Sequence, residues 1–207
     1  MNSLIKPRLR IAVQKAGRLN QPSMDFLSSC GLSFTRNGSS LILPCVNFDF
    51  DVLYLRDDDI PEYVRRGAAD FGIVGQNVLA ETDAKVVSLT QLGFAQCRLM
   101  IAVPAVSGIA KAKDLEGGRI ATSYPNILSR FLVREGITAA IITISGSSEV
   151  APELNLADAI CDIVQSGETL KAHKLVPLCT IMESQAVLIE SPNKNSKKKE
   201  FLNICKL

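Results

Sequence analysis

The most chemically suggestive stretch of the sequence contains two acids, Asp158 and Asp162, followed by the polar run Gln165-Ser166-Gly167. The residues around the acids are small and apolar, which predicts a mostly buried strand that ends at the polar run. A helix is predicted to begin at Thr169, so that loop N–H groups, side-chain hydroxyls and the positive end of the helix would meet at one point. Asp162 could accept hydrogen bonds from sugar hydroxyls beside that point. The stretch therefore indicates a ligand with a phosphate and a ribose, and an ordinary strand–turn–helix with a polar corner is the alternative.

Basic residues follow two other predicted strands. Lys15 and Arg18 come after the apolar run of residues 10–13, and Arg56 comes at the end of the apolar run of residues 49–55. Open α/β sheets bind ligands at the carboxyl ends of their strands, so these cations could hold an anionic group. A solvated basic turn is the alternative for the first pair. The three acids after Arg56 are typical of a helix start.

Short apolar strands alternate with helices along most of the sequence. Residues 126–135 form an amphipathic pattern that ends at Gly136, which predicts a helix. Residues 191–199 are predicted to be a solvated linker or a helix start, and residues 201–207 an apolar tail. The alternation predicts an α/β fold with mostly parallel sheets, and the repeated polar loops at strand ends suggest a cleft between two lobes. Further candidate strands are residues 41–45, 70–75, 97–103, 141–144 and 186–189.

The composition fits a soluble globular protein and argues against several classes of function. The chain has 207 residues, of which 47% are hydrophobic and 21% charged, and a net charge of +2. This charge is too balanced for a nucleic-acid binder, and no apolar run approaches the ~18 residues of a membrane-spanning helix. Six scattered cysteines without a Cys-x-x-Cys pair favour free thiols in a reducing cytosol, so we expect a cytoplasmic protein. The single histidine, His173, argues against a structural zinc site.

Taken together, the polar loops resemble those of the ATP phosphoribosyltransferase family, which opens histidine biosynthesis. The matching pieces occur in the order of the family and extend over most of the chain. They are Gln14-Lys15-Ala16-Gly17-Arg18-Leu19, Arg56-Asp57-Asp58-Asp59-Ile60-Pro61, Asp70-Phe71-Gly72-Ile73-Val74-Gly75 with Asn77, Cys97-Arg98-Leu99, Ala121-Thr122-Ser123-Tyr124-Pro125, Glu149-Val150-Ala151-Pro152 and Leu156-Ala157-Asp158-Ala159-Ile160-Cys161-Asp162.

The resemblance implies a fold like that of the two-lobed, type II periplasmic binding proteins. The first lobe would be discontinuous, with residues 1–96 and 184–207, and the second would contain residues 97–183 with the phosphate loop. The active site would lie in the cleft between the lobes. The implied reaction joins N1 of the adenine of ATP to the anomeric carbon of phosphoribosyl pyrophosphate (PRPP) and releases pyrophosphate. Mg²⁺ would be the cofactor, and catalysis would rest mainly on positioning and electrostatic stabilisation.

The resemblance also implies roles for individual residues, while it leaves the residues that hold the metal open. The implied catalytic residues, which would face phosphates of the nucleotide or pyrophosphate, are Lys15, Arg18 and Arg56. The implied ATP-binding residues are Asp70, Gly72, Cys97, Arg98 and Tyr124. The implied PRPP-binding residues are Asp158, Asp162, Gln165, Ser166, Gly167, Glu168 and Thr169.

Two departures from the family pattern bear on activity. The phosphate loop of the family usually reads Ser-Thr-Gly-x-Thr with a small x, whereas this sequence places Glu168 at x, beside a proposed phosphate dianion. The basic pieces resemble the long form of the family, whose C-terminal domain binds histidine as a feedback inhibitor. This sequence stops at Leu207, where that domain would begin, and we expect the chain to be insensitive to histidine.

The expected partners are the substrates ATP and PRPP and further copies of the chain, in at least a dimer. The short form of the family works with a subunit that resembles histidyl-tRNA synthetase, so such a partner is a further expectation. No nucleic-acid or membrane partner is expected. Two other interpretations stay open: a nucleotide- or anion-binding module without catalysis, and a degenerate catalytic subunit that needs a partner.

Overall fold

The computed structural model describes residues 8–35 and 40–207. These residues form two compact units, and the chain passes from one unit to the other twice. The first unit contains the described residues up to Ala95 together with Gln185–Leu207, and the second contains Gln96–Ser184. Each unit is built around its own β-sheet, so each has its own edge at which polar loops can gather.

Eleven strands and six α-helices make up the regular structure of the described residues. The strands are β1 (Leu9–Gln14), β2 (Ile42–Pro44), β3 (Phe50–Leu55), β4 (Phe71–Gly75), β5 (Val87–Gln91), β6 (Cys97–Pro104), β7 (Arg119–Thr122), β8 (Ala140–Thr143), β9 (Ala159–Val164), β10 (Leu175–Ser184) and β11 (Ala186–Glu190). The helices are α1 (Asn20–Ser29), α2 (Ile60–Arg65), α3 (Gln76–Thr82), α4 (Pro125–Glu135), α5 (Glu168–Ala172) and α6 (Lys197–Ile204). A bilayer requires about 20 apolar residues in one helix, and no helix in the described part of the chain qualifies as a membrane span.

The sheet of the first unit has the strand order β2-β3-β1-β4-β11-β5 within the described residues. Its three central strands β3, β1 and β4 are parallel, whereas β2, β11 and β5 run antiparallel to their neighbours. Almost every residue of β1, β3 and β4 is buried, because sheet neighbours and helices cover both faces. The carboxyl ends of these three strands therefore lie at one edge of the sheet.

The sheet of the second unit has the strand order β10-β6-β9-β7-β8 within the described residues. β9, β7 and β8 are parallel to one another, and β6 runs antiparallel to both β9 and β10. The carboxyl ends of β7, β8 and β9 thus share an edge with the first residues of β6. Helix α4 ends at Gly136, whose φ of +61° is the left-handed conformation expected for a glycine helix stop.

The prediction that the sheets are mostly parallel is wrong. Both sheets are mixed, and only four of the nine strand pairings in the described residues are parallel. Strands joined through a helix tend to be parallel, which is the connection that the alternating sequence pattern predicts. The chain, however, enters β6 and β11 from the other unit, and β2 and β3 are joined by a short turn. None of these connections contains a crossover helix, and β6, β11 and β2 pair with their neighbours in an antiparallel manner.

The C-terminal helix α6 completes the core of the first unit. Phe201 is fully buried, and its ring centroid lies 5.3 Å from that of Phe50 and 4.7 Å from that of Phe71. Lys198 is also buried, and its ammonium group donates to two backbone carbonyls just before the helix, at 2.6 Å each. The segment was predicted to be a linker or helix start followed by an apolar tail. It forms a helix because packing of its apolar face stabilises it.

Candidate active site

The polar loop after β9 is an open turn in the second unit. β9 ends at Val164 and α5 begins at Glu168, so Gln165, Ser166 and Gly167 connect them. Gly167 has a φ of +81°, and a Cβ added there would meet no atom within 4 Å. A cavity of about 360 Å³ lies against this loop and against Asp162. The loop therefore has the space to receive a ligand group.

Donor groups of this loop are available to an anion. The N–H groups of Ser166, Gly167 and Thr169 have no hydrogen-bond acceptor among the described residues. Helix α5 has only five residues, so its dipole is small and contributes less to anion binding than the sequence predicts. Loop amides and hydroxyls are therefore the principal donors. The side chain of Glu168 is exposed, so solvent screens its charge.

Asp162 lies two residues before the end of β9 and is partly buried. Its Oδ1 accepts a hydrogen bond from the amide of Ile163 at 2.7 Å, and its Oδ2 accepts one from the hydroxyl of Ser148. Burial raises the pKa of the Asp162 carboxyl above its ordinary value, and the negative charge of Glu149 adds to that rise, whereas the two hydrogen bonds oppose it. The carboxylate thus has a fixed orientation at the wall of the cavity.

Two predicted nucleotide residues lie at the same edge of the second unit. Arg98, in β6, is in register with Val164, the last residue of β9, and is exposed. Tyr124 follows β7, and its amide donates to the hydroxyl of Thr122 at 2.8 Å. Because β7 and β9 are parallel, Tyr124 and the loop after β9 lie at the same edge. Cys97 is at this edge too, but its side chain is buried.

The three predicted catalytic cations gather at the carboxyl edge of the first unit. Gln14 is paired with Leu55 at the ends of β1 and β3, and the amide of Lys15 donates to the carbonyl of Leu55 at 2.7 Å. Lys15 and Arg56 are therefore the next residues on neighbouring strands, and both side chains are exposed. Arg18 follows in the loop after β1.

Arg18 is held at this edge by Asn77, which was not among the predicted site residues. The Nη2 of Arg18 donates to Oδ1 of Asn77 at 3.1 Å, and Asn77 is buried. A Cβ at Gly75 would lie 2.3 Å from that same Oδ1, so a larger residue at the end of β4 would displace the Asn77 amide. The buried Nη1 of Arg18 has no hydrogen-bond partner among the described residues. The contact joins residues 59 apart in sequence, which no local pattern reveals.

The structure does not bring Asp70 and Gly72 to this edge, and their contact with ATP stays a prediction. Asp70 precedes β4, about 17 Å along the strand from its carboxyl end at ~3.3 Å per residue. Its carboxylate accepts hydrogen bonds from the amide of Arg10 at 2.9 Å and from the side-chain amide of Asn195 at 2.8 Å. Gly72 is in the middle of β4, where a Cβ would lie 2.7 Å from Ile60 of α2. Both residues serve the packing of the first unit.

Replacing Asp70 with alanine is expected to lower the free energy of unfolding by about 1–3 kcal/mol, because two donors lose their acceptor. The Michaelis constant for ATP is expected to stay unchanged. Urea unfolding and steady-state kinetics measure the two effects. Intact stability with a large rise in the KM for ATP would restore Asp70 to the nucleotide site.

Asp158 is likewise separated from the other predicted PRPP residues. It precedes β9, whereas the loop follows β9, so about 20 Å of extended chain lies between them at ~3.3 Å per residue. Its carboxylate accepts three hydrogen bonds from Arg119, one from the amide at 2.8 Å and two from the guanidinium at 3.2 and 2.9 Å. These bonds lower the pKa of Asp158. In the structure, Asp158 joins β7 to β9 through Arg119, and its role in PRPP binding stays a prediction.

The described residues contain no group of three or more His, Cys, Asp or Glu side chains that could enclose a metal ion. Mg²⁺ usually binds through one or two carboxylates, waters and substrate phosphates. The residues present therefore suit a magnesium ion that arrives with a phosphate substrate better than a resident ion.

Comparison with curated proteins shows long matches to one family. The family model described as ATP phosphoribosyltransferase matches residues 56–207. The ATP phosphoribosyltransferase of Cytophaga hutchinsonii is 48% identical over 195 residues, which cover 94% of this chain and 68% of the relative. That of Maricaulis maris is 46% identical over 188 residues, which cover 88% and 64%. The chain thus spans about two thirds of the length of these relatives.

Solved structures agree with these matches. A chain of the ATP phosphoribosyl transferase (HisG:HisZ) complex from Thermotoga maritima is similar with a TM-score of 0.81 and 31% identity over 96% of both chains. The alkanesulfonate-binding protein SsuA from Xanthomonas axonopodis pv. citri, at 17% identity, shares the fold alone, with a TM-score of 0.62 over 95% of this chain and 70% of its own. The predicted α/β fold of the periplasmic-binding-protein type is thereby confirmed. Nearly half of the aligned residues are identical to those of curated members, and the family model extends over most of the sequence, so the chain belongs to the ATP phosphoribosyltransferase family.

Proposed function

We propose that this chain joins ATP to PRPP to give N1-(5-phosphoribosyl)-ATP and pyrophosphate. A bond forms between N1 of adenine and the anomeric carbon of the ribose, and the bond from that carbon to the pyrophosphate oxygen breaks. The proposal rests chiefly on the open loop after β9, which has free donors and adjoins Asp162, in a chain of this family.

PRPP is proposed to bind in the cavity of the second unit. Its 5′-phosphate would accept hydrogen bonds from the amides and hydroxyls of Ser166 and Thr169 and from the amide of Gly167. Gln165 precedes these three residues, and Glu168 lies between Gly167 and Thr169 with its side chain exposed. The ribose hydroxyls would donate to Asp162. Fixing both ends of the sugar in this way orients the anomeric carbon for in-line attack, which is a large contribution to catalysis in reactions of two substrates.

The cations of the first unit are proposed to act on phosphates. Negative charge develops on pyrophosphate as its bond to the sugar breaks, and preorganised cations stabilise such charge strongly. Arg56 and Lys15 are exposed at strand ends and are free to contact a substrate, while Asn77 fixes Arg18 beside them. Arg98 and Tyr124, with the buried Cys97 behind Arg98, are proposed to contribute to the nucleotide site. Mg²⁺ is proposed to enter with the pyrophosphate group of PRPP.

Calorimetric titration with PRPP in the presence of Mg²⁺ tests this placement. Replacing Asp162 with asparagine is expected to weaken PRPP binding by at least about tenfold, because a charged acceptor of sugar hydroxyls is lost. The matched replacement Asp158→Asn, on the same strand but at its other end, is expected to leave PRPP affinity unchanged. Equal weakening by both replacements, or by neither, would refute the proposed site.

We further infer that the chain acts in the cytoplasm and as part of an oligomer, with at least two copies. All six cysteines are free thiols, which suits a reducing compartment. The similar Thermotoga maritima protein is part of a complex with two named components, which supports a second candidate function, that of a catalytic subunit activated by a partner resembling histidyl-tRNA synthetase. Size-exclusion chromatography measures the number of copies in the oligomer. Activity assays with and without such a subunit distinguish a self-sufficient enzyme from a partner-dependent subunit.

A further inference from the structure

The carboxylate of Asp162 depends on a residue from a different loop for its orientation. Ser148 is fully buried, and its hydroxyl donates to Oδ2 of Asp162. The other oxygen, Oδ1, accepts from the amide of Ile163. Each carboxylate oxygen therefore has one protein donor, so the carboxylate cannot rotate without breaking a hydrogen bond. A carboxylate offers about four acceptor positions, which leaves about two for a ligand.

The two residues before Ser148 have positive φ angles, and the chain turns there so that Ser148 is buried. Gly146 has a φ of +103° and Ser147 a φ of +50°. The left-handed region is unfavourable for a non-glycine residue, and such conformations occur where the surrounding structure enforces them, often at functional sites. A short 3-10 turn, Ser148–Val150, begins directly afterwards. The strained residue thus immediately precedes the one that contacts Asp162.

The charges around Asp162 come from several elements. Glu149, in the same turn as Ser148, lines the same cavity. On β6, Met100 is directly opposite Asp162, and Arg98 lies two residues further towards the loop. Across from Arg98, on β10, is Glu183, and Glu168 of α5 is exposed. Among these groups, only the Ser148 hydroxyl contributes a side-chain hydrogen bond to Asp162.

We infer that Ser148 is a positioning residue for the ribose site: its hydroxyl fixes the Asp162 carboxylate so that the unoccupied acceptor positions receive the two sugar hydroxyls of PRPP. This inference rests on the proposed function. It assigns Ser148 a role through Asp162, without contact with substrate. A hydroxyl is needed because an apolar residue at this buried position would leave Oδ2 without a protein donor.

Replacing Ser148 with alanine tests the inference. The KM for PRPP is expected to rise on the order of tenfold, with a smaller change in kcat and in the KM for ATP. The hydrogen bond from Ser148 lowers the pKa of Asp162, so its loss raises that pKa. Asp162 acts as the carboxylate, so the acid limb of the pH profile of kcat/KM for PRPP is expected to move to higher pH. A purely structural role would not move this limb.

Ser23→Ala provides a matched control, because Ser23 is also fully buried and its hydroxyl has no partner among the described residues. It is expected to leave both the KM for PRPP and the pH profile unchanged. Ser148→Thr, which keeps a hydroxyl, is expected to retain the position of the acid limb. In an Asp162→Asn background, Ser148→Ala is expected to add little to the rise in KM.

The outcomes separate this inference from the proposed function. An active wild-type chain whose Ser148→Ala variant matches it in KM and pH profile would overturn the inference alone. Equal rises in KM after Ser148→Ala in the wild-type and Asp162→Asn backgrounds would also overturn it, because Ser148 would then act independently of Asp162. A folded wild-type chain that neither binds PRPP nor forms product would overturn both.

Discussion

Replacing Gly167 with alanine is expected to lower kcat/KM for PRPP by at least about 100-fold, the loss that misplacing a bound group by about 1 Å produces. Gly167 has a φ of +81°, which an alanine adopts only with strain of about 1–2 kcal/mol. Relief of that strain would rotate the amides of the loop away from the phosphate. Any Cβ that stayed in place would project into open space next to Gly167, which lines the proposed PRPP cavity. Steady-state kinetics with varied PRPP measure the loss.

Gly117 offers a closely matched control for this variant. It lies in the same unit, has a φ of +74°, and a Cβ added there would also meet no atom within 4 Å. Gly117→Ala therefore carries the same backbone strain at a position before β7, away from the loop. It is expected to lower stability to a similar extent and leave kcat/KM intact. Loss of activity in both variants would show that backbone strain at these glycines, and not the phosphate-binding loop, accounts for the lower activity.

Replacing Arg56 with alanine is expected to reduce kcat on the order of 10²- to 10³-fold, the range found when a preorganised donor for developing charge is removed. Arg56 lies at the end of β3 and is exposed, so its loss removes a charge from the proposed phosphate site without opening the core. Stability should change little. The assay is product formation at saturating ATP and PRPP, together with thermal unfolding of the variant.

Arg66 is the appropriate comparison for Arg56. It belongs to the same unit, its side chain is 70% exposed, and it forms an ion pair with Glu62 at 2.5 Å at the end of α2. Exposed pairs of this kind contribute little to stability, so Arg66→Ala is expected to retain full activity. A small effect of Arg56→Ala, no larger than that of Arg66→Ala, would remove Arg56 from the catalytic residues.

Local features of the fold could be predicted from the sequence because they depend on nearby residues. The stop of α4 at Gly136 and the start of α2 around Pro61 follow from backbone preferences of glycine and proline. The sequence does not predict β10, because it is an irregular edge strand with Pro177 in its interior and two register shifts against β6. α6 has no clear apolar stripe at its start, and contacts with distant phenylalanines stabilise it.

The sequence predicts the individual polar loops better than it predicts which residues lie together in the site. The resemblance to the family implies that Asp70 and Asp158 belong to it. Both precede their strands, however, so in a parallel arrangement they lie at the edge opposite the loops. The direction of each strand, which the sequence pattern predicts, indicates this separation from the loops. Asn77 belongs to one of the matching pieces, but no local pattern shows its contact with Arg18 or that of Ser148 with Asp162, because these contacts join residues 59 and 14 positions apart.

The most direct test of the proposed transferase is product formation by the pure chain. ATP, PRPP and Mg²⁺ are mixed with the protein, pyrophosphate is removed enzymatically, and phosphoribosyl-ATP is followed by absorbance and identified by mass. We predict a product in which adenine N1 is joined to the ribose, formed in equal amount to pyrophosphate. Binding of PRPP without product would favour the partner-dependent subunit. A folded chain that forms no product and binds neither PRPP nor ATP in calorimetry would contradict the account.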